Sequence, residues 1–242
     1  MRSTSKGATR SAAPATFLPH VSVDCVIFGF HDAALKVLLL KWKGLRLWVL
    51  PGGMVGLRES LDDAAAHVLF SRAGLRRVHL RQFHAFGGLH RREAASLRRL
   101  FGRGPRASRL SSRVVSVGYY ALVDYEKVRP HPDALSDTFK WYPVDKLPPL
   151  AFDHAEIVHR ACEALRESLE TPSTGAHLLP PKFTMPELQR LHEAILGRPL
   201  DRRNFQKRML ERGGIERLNE RRTGGAHRSP YLYRFVATGA PR

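Results

Sequence analysis

The chain has 242 residues, with 40 Lys plus Arg against 22 Asp plus Glu, a formal net charge of +18 and two cysteines. That length holds one large domain or two small ones, each able to bury a core, and the excess of cations suits a polyanion: nucleic acid, a phosphorylated ligand or membrane headgroups. Cys25 and Cys162 are far apart with no C-x-x-C, which excludes a disulfide framework and fits a reducing cytoplasm. No apolar run approaches the ~20 residues of a membrane span, so no membrane partner is expected.

Residues 1–19 lack acids and are rich in Ser, Ala, Thr and Arg, the composition of a disordered basic tail. An α/β domain is expected over 20–170. Val21 to Phe30 reads as a buried strand, His31-Asp32-Ala33 as a turn and Leu35 to Trp42 as a second strand. A third, Leu45 to Leu50, leads into a turn at Pro51-Gly52-Gly53. A helix from about Ser60 to Ala73 follows, with Leu61, Ala65 and Leu69 on one stripe. Ser60 is its N-cap, Asp62 and Asp63 suit the positive first turn, and Gly74 stops it. Val78 to Phe86 and Arg113 to Val123 are further strands. Between them, Gly87 to Ser112 is an arginine-rich stretch read as a mobile loop, its role left open. Phe139 to Pro143 is a short strand, and Asp153 caps a helix reaching about Leu169. Residues 171–182, TPSTGAHLLPPK, have the composition of a linker, and a second domain occupies 183–236.

The stretch from Pro51 to Leu75 has the outline of a catalytic motif. Gly53 is followed six residues later by Glu59, and the helix ends at Gly74-Leu75. The spacing resembles the Nudix box, whose carboxylates hold divalent metals against a diphosphate. Where the box has Arg-Glu this chain has His67-Val68, and where it has Glu-Glu it has Ser71-Arg72. Positions 68, 71 and 72 share one helix face, and a face of Val, Ser and Arg offers a hard cation one weak hydroxyl and one repelling charge. No metal, no cofactor and no catalytic residue is therefore expected, and the domain reads as a hydrolase scaffold turned to binding. The effector would sit near the old site, with the Gly52 and Gly53 amides and Arg58 as donors and Trp48 as a stacking surface; core packing is the plainer reading of Trp48. The competing reading is a Nudix-type hydrolase with a non-standard metal site built from Glu59, Asp62, Asp63 or carboxylates elsewhere. A strand-to-helix turn in an unrelated α/β domain is the bland alternative.

The C-terminal stretch opens with Thr184 and Glu187 at capping-box spacing and Phe183 placed to staple onto Leu188. Leu188, Leu191 and Ile195 form a buried stripe, and Gly197 ends the helix. A second helix starts at the N-cap Asp201, with Leu200 stapling onto Phe205, and ends at Gly213-Gly214. Two helices joined by a short Gly-containing turn make a helix-turn-helix. Phe205 and Met209 point inward, while Arg203 and Lys207 point the opposite way, flanked by Asn204 and Gln206 with Arg202 and Arg208 at the sides. Long donors suit guanine edges, amides suit adenine, and flanking cations suit phosphates. A strand from Ile215 to Leu218, a basic turn holding Arg221, Arg222, His227 and Arg228, and a strand from Tyr231 to Phe235 would form a DNA-contacting wing. Any one of these cations alone is more simply a solvated charge, and an RNA partner would use the same set. In this order they point to double-stranded DNA.

A degenerate Nudix box followed by KFTMPELQRLHEAILGRPLDRRNFQKRMLERGG and YLYRF resembles the NrtR family of Nudix-related bacterial transcriptional regulators. The resemblance implies a Nudix-like α/β/α sandwich followed by a winged helix-turn-helix. It implies a homodimeric regulator, a repressor or activator, binding a double-stranded DNA operator. A phosphorylated ribose or nucleotide effector such as ADP-ribose would control it, in NAD or sugar metabolism. The long arginine loop departs from the family pattern and leaves the effector's identity open.

Overall fold

The computed structural model describes residues 16–43, 47–76, 78, 80–88, 113–128, 136–222 and 229–236. The basic tail up to residue 15, nearly all of the arginine loop, and residues 223–228 with His227 and Arg228 lie outside them.

One mixed sheet organises the first domain, and its centre is β1 (Phe17–His31). On one side β1 pairs in parallel with β6 (Val115–Val123), which pairs antiparallel with β5 (Leu80–Phe86). On the other side it pairs with β4 (Gly52–Gly56) near its start and β2 (Ala34–Trp42) near its end. β2 carries β3 (Trp48–Val49) and β7 (Ser136–Pro143). The β1–β2 connection is a two-residue hairpin in which Asp32 and Ala33 both have positive φ, 52° and 56°, the twist-matched turn of tight hairpins.

The period of two along the strands sorts side chains to two helical layers. Val23, Cys25 and Ile27 meet α1 (Leu61–Ala73) through Ala64, Ala65, Val68 and Leu69. Val26 and Phe28 face α2 (His154–Ser168) through Ile157, Val158, Ala161 and Leu165. The result is an α/β/α sandwich. The ends of α1 are as the sequence indicates: Ser60 accepts from the Asp63 amide in a full capping box, and Gly74 closes the helix in the left-handed region. Asp153 stands at the N-cap of α2, but its side chain makes no capping hydrogen bond, which corrects the expected cap.

A second correction concerns Gly52-Gly53. The pair is not a turn but the start of β4, in register with Asp24 and Val23. The Cys25 amide donates to the Pro51 carbonyl at 2.8 Å, so antiparallel alternation directs the Gly53 amide at β1 and turns the Gly52 amide away from it. A Cβ on Gly52 would stand 2.3 Å from Asp24 Oδ1 and 3.0 Å from the Val23 carbonyl oxygen, so glycine is required by close approach.

The chain from 171 to 182 contains a 3₁₀ turn, Pro172–His177, and buries Leu178 and Leu179. The second domain follows as β8 (Phe183–Thr184), α3 (Met185–Leu196), α4 (Arg202–Arg212), β9 (Ile215–Arg221) and β10 (Tyr231–Phe235), with strands in the order β8-β10-β9. Its core is continuous with that of the sandwich, since Leu188, Leu191, Phe205 and Tyr233 belong to the same buried cluster as Phe28 and Leu165. Among the described residues, hydrogen bonds across the junction run from Arg166 Nε to the Ile195 carbonyl at 3.0 Å and from the Arg212 guanidinium to the Leu169 carbonyl at 3.2 Å.

His192 of α3 lies in that junction, edge-on to Phe205 at 5.1 Å between ring centres. Burial, then the nearby Arg212 and Arg208, pull its pKa down to about 4 from 6.5. Between those values the unfolded chain holds the proton and the folded one does not. Stability therefore falls as pH drops from about 6.5 towards 4, by at most about 1.4 kcal/mol per pH unit. Urea unfolding across this window should show the slope, and His192→Gln should flatten it.

Candidate nucleic-acid interface and sensor site

α4 is held by one buried anchor. Phe205 is 1% exposed and Met209 half-buried, and both join the shared core. Asp201 caps the helix by accepting from the Asn204 amide at 2.9 Å. All six residues expected to read DNA from this helix, Arg202, Arg203, Asn204, Gln206, Lys207 and Arg208, are exposed. Lys207 reaches Glu211 only at 3.9 Å, with 72% of its side chain in solvent, an ion pair too exposed to hold the lysine against a phosphate. α3 behind it starts at the predicted capping box, Thr184 accepting from the Glu187 amide while Glu187 accepts from the Thr184 amide.

The wing differs from the sequence picture in where its cations sit. Arg221 is the last residue of β9 rather than part of a loop tip; its guanidinium lies 4.0 Å from the centre of the Tyr231 ring and donates to the Ser229 carbonyl. Arg222 donates to both carboxylate oxygens of Glu187 at 2.8 and 2.7 Å, so one cation ties the wing to the first turn of α3. Arg217, which the sequence did not single out, also stacks on Tyr231, at 4.8 Å. Its place could have been read from strand alternation, since 217, 219 and 221 share one face of β9.

On the sensor side, the helix face of the box is as its residues dictate. Val68 is buried and lies beside Gly53, where a Cβ would come within 3.1 Å of its methyl. Ser71 donates its hydroxyl to the Val68 carbonyl at 3.3 Å, and burial lowers the pKa of Arg72. The carboxylates nearby accept hydrogen bonds. Glu59 accepts from the Gly56 amide at 2.6 Å, Asp62 from the Tyr119 hydroxyl at 2.6 Å, and Asp63 from Ser60. Among the described residues no group of three or more His, Cys, Asp and Glu is placed to hold a metal ion.

The four expected effector contacts are not gathered at one point. Gly52 and Gly53 lie in β4, and Arg58 is exposed in the turn before α1. Trp48 packs on the α2 side of the sheet, edge-on to Tyr142 at 5.0 Å, whereas Val68 belongs to the α1 side. The sequence reading passed over a buried polar group beside Gly52. Asp24 is 7% exposed and accepts from the Ser116 hydroxyl at 2.5 Å. The Leu50 amide donates to His154 Nδ1 at 2.9 Å, which leaves the proton on Nε2, 3.6 Å from Asp24 Oδ1. Its signal is one acid inside the apolar run Val23-Asp24-Cys25-Val26.

Comparison with known proteins follows the same division. The NUDIX domain model matches residues 18–161, and the NrtR DNA-binding winged helix domain model matches 175–235. The ADPR responsive transcriptional repressor NtrR of Acinetobacter baylyi is 29% identical over 225 residues, covering 90% of this chain and 82% of that protein. The crystal structure of Shewanella oneidensis NrtR superposes with a TM-score of 0.68 at 30% identity, covering 90% of this chain and 94% of that one. The same protein complexed with a 27mer DNA gives 0.68 at 27%, covering 89% and 93%. Sandwich, winged helix and their order along the chain thus agree across both domains: the chain belongs to the NrtR family, in which a NUDIX domain carries a winged-helix DNA-binding domain.

Proposed function

We propose that the chain is a sequence-specific DNA-binding transcriptional repressor, acting as a homodimer on a two-fold operator, whose NUDIX domain binds ADP-ribose or a related phosphorylated ribose metabolite without cutting it. The observation that carries this reading is α4: a helix anchored by the buried Phe205 with the half-buried Met209 beside it, presenting an unbroken exposed face of Arg203, Asn204, Gln206 and Lys207. A helix with an apolar side turned inward and long polar side chains outward suits the major groove, where Arg and Lys read guanine and Asn and Gln read adenine. The relatives support it, being a repressor described as ADPR responsive and a regulator crystallised with DNA.

Binding without hydrolysis follows from the box. A divalent cation needs several oxygen ligands at close range. Here the ligand positions carry a buried methyl-bearing side chain, a hydroxyl turned to a carbonyl, and a guanidinium, while Glu59, Asp62 and Asp63 accept hydrogen bonds from the Gly56 amide, the Tyr119 hydroxyl and Ser60. These residues do not fit the metal that the fold's hydrolases use. The Gly52 amide and Arg58 remain as donors for a diphosphate, and Trp48, packed on Tyr142, acts as a wall rather than a stacking lid. Incubation with ADP-ribose and Mg²⁺ should release no AMP above the buffer rate. Turnover that Glu59→Gln removes would reverse the reading to a hydrolase.

The DNA half is tested on the operator recovered by sequencing genomic fragments bound to the purified protein. Arg203→Ala should reduce the ratio of operator to random-duplex affinity by about ten-fold or more, the worth of one bidentate base contact of 1–3 kcal/mol. An unchanged ratio would remove α4 from the groove.

A further inference from the structure

The turn between α3 and α4, residues 197–200, is held more firmly than its length requires. Gly197 ends α3 in the left-handed region at φ 69°. Three residues on, both backbone groups of Leu200 are taken by side chains of α3: its amide donates to Glu193 Oε1 at 2.9 Å, and its carbonyl accepts from Gln189 Nε2 at 2.9 Å. Gln189 also donates to Glu193 at 2.9 Å, closing the clamp. These bonds, the Gln189 one first, hold the Glu193 carboxyl below its ordinary pKa.

The clamped turn forms the wall of an open cleft of about 510 Å³ whose other wall is the Asn204, Lys207, Arg208 and Glu211 face of α4. Arg198 lines it as well. The cleft also holds two acids: Asp201 is the N-cap of α4, and Glu211 faces Lys207 at 3.9 Å in an exposed ion pair. Among the described residues neither Arg198 nor Arg208 has a carboxylate partner. Three cations from two walls, one of them rigid, therefore converge on a concave surface that opens beside the groove-facing helix.

We infer that this cleft seats a backbone phosphodiester of duplex DNA, and that Arg198, outside the recognition helix, is a positioning residue that clasps it together with Arg208 and Lys207. The inference rests on the proposal that α4 reads DNA. Convergent donors on a fixed frame lose little freedom on binding a phosphate, and a contact of this kind sets register without carrying sequence information. It also moves Lys207 from the base edges to the backbone, leaving Arg203 as the principal reader.

The test measures the affinity of the full chain for a random-sequence duplex and for the operator across a salt series. Arg198→Ala should weaken both about ten-fold at ~0.1 M salt, as expected for loss of one charged hydrogen bond. It should also lower the slope of log K against log salt by about 0.9, the counterions of one phosphate, and leave the operator-to-random ratio unchanged. Arg198→Lys, which keeps the charge, should retain the slope. The thermal midpoint should not move, since the Arg198 side chain makes no hydrogen bond among the described residues. An unchanged slope, or a loss confined to the operator, would overturn the assignment. So would loss of ADP-ribose binding in Arg198→Ala, which would give the cleft to a free nucleotide. If the wild-type chain bound neither duplex, the proposed DNA function itself would fall instead.

Discussion

Helix α2 is the constraint on which the rest of the molecule depends. Its first residue, His154, takes the Leu50 amide just before the Pro51-Gly52-Gly53 segment and faces the buried Asp24. Its last turn reaches the DNA-binding domain, through Arg166 to the end of α3 and through the Leu169 carbonyl to Arg212 at the end of α4. Along its length Ile157, Val158, Ala161 and Leu165 belong to one buried cluster that runs from Phe28 in the sheet to Phe205 in the recognition helix. Close-packed interiors do not deform continuously. α2 therefore links the Gly52 end of the sheet to the recognition helix through packed side chains and the hydrogen bond from Arg212 to the Leu169 carbonyl.

This arrangement gives the proposed binding role a physical basis. Catalysis requires carboxylates on α1, and that face carries Val68, Ser71 and Arg72. Binding requires only donors and shape near β4, and coupling requires the opposite layer, where α2 lies. The two layers of the sandwich can diverge independently because the period of two in β1 sends Cys25 to one and Val26 to the other. A ligand changes DNA affinity only through its differential affinity for two arrangements. In a symmetric dimer those arrangements differ in the spacing of two α4 helices, which the operator's half-sites measure.

What was legible in the sequence was local chemistry. The capping boxes at Ser60 and Thr184, the Asp201 cap, the left-handed glycines at 74 and 197, and the inward Phe205 and Met209 all follow from bonds closed within a few residues. What was not legible depends on partners far along the chain. Gly52-Gly53 has the composition of a turn, and only pairing with Asp24 and Val23 makes it a strand. Arg222 looks like a free wing cation until Glu187, 35 residues earlier, is brought against it. Asp24 is one acid in an apolar run, and its partners Ser116 and His154 come from a distant strand and a distant helix. The segment 171–182 has linker residues, yet Leu178 and Leu179 are buried where the two domains meet.

The central claim is that a nucleotide bound intact to the sandwich alters what α4 grips. It is tested most directly by measuring operator affinity with and without saturating ADP-ribose, and ADP-ribose affinity with and without operator, all in EDTA. The account predicts a several-fold shift in operator affinity matched by an equal factor in ADP-ribose affinity, as linkage requires. Tight ADP-ribose binding that leaves operator affinity unchanged would contradict it.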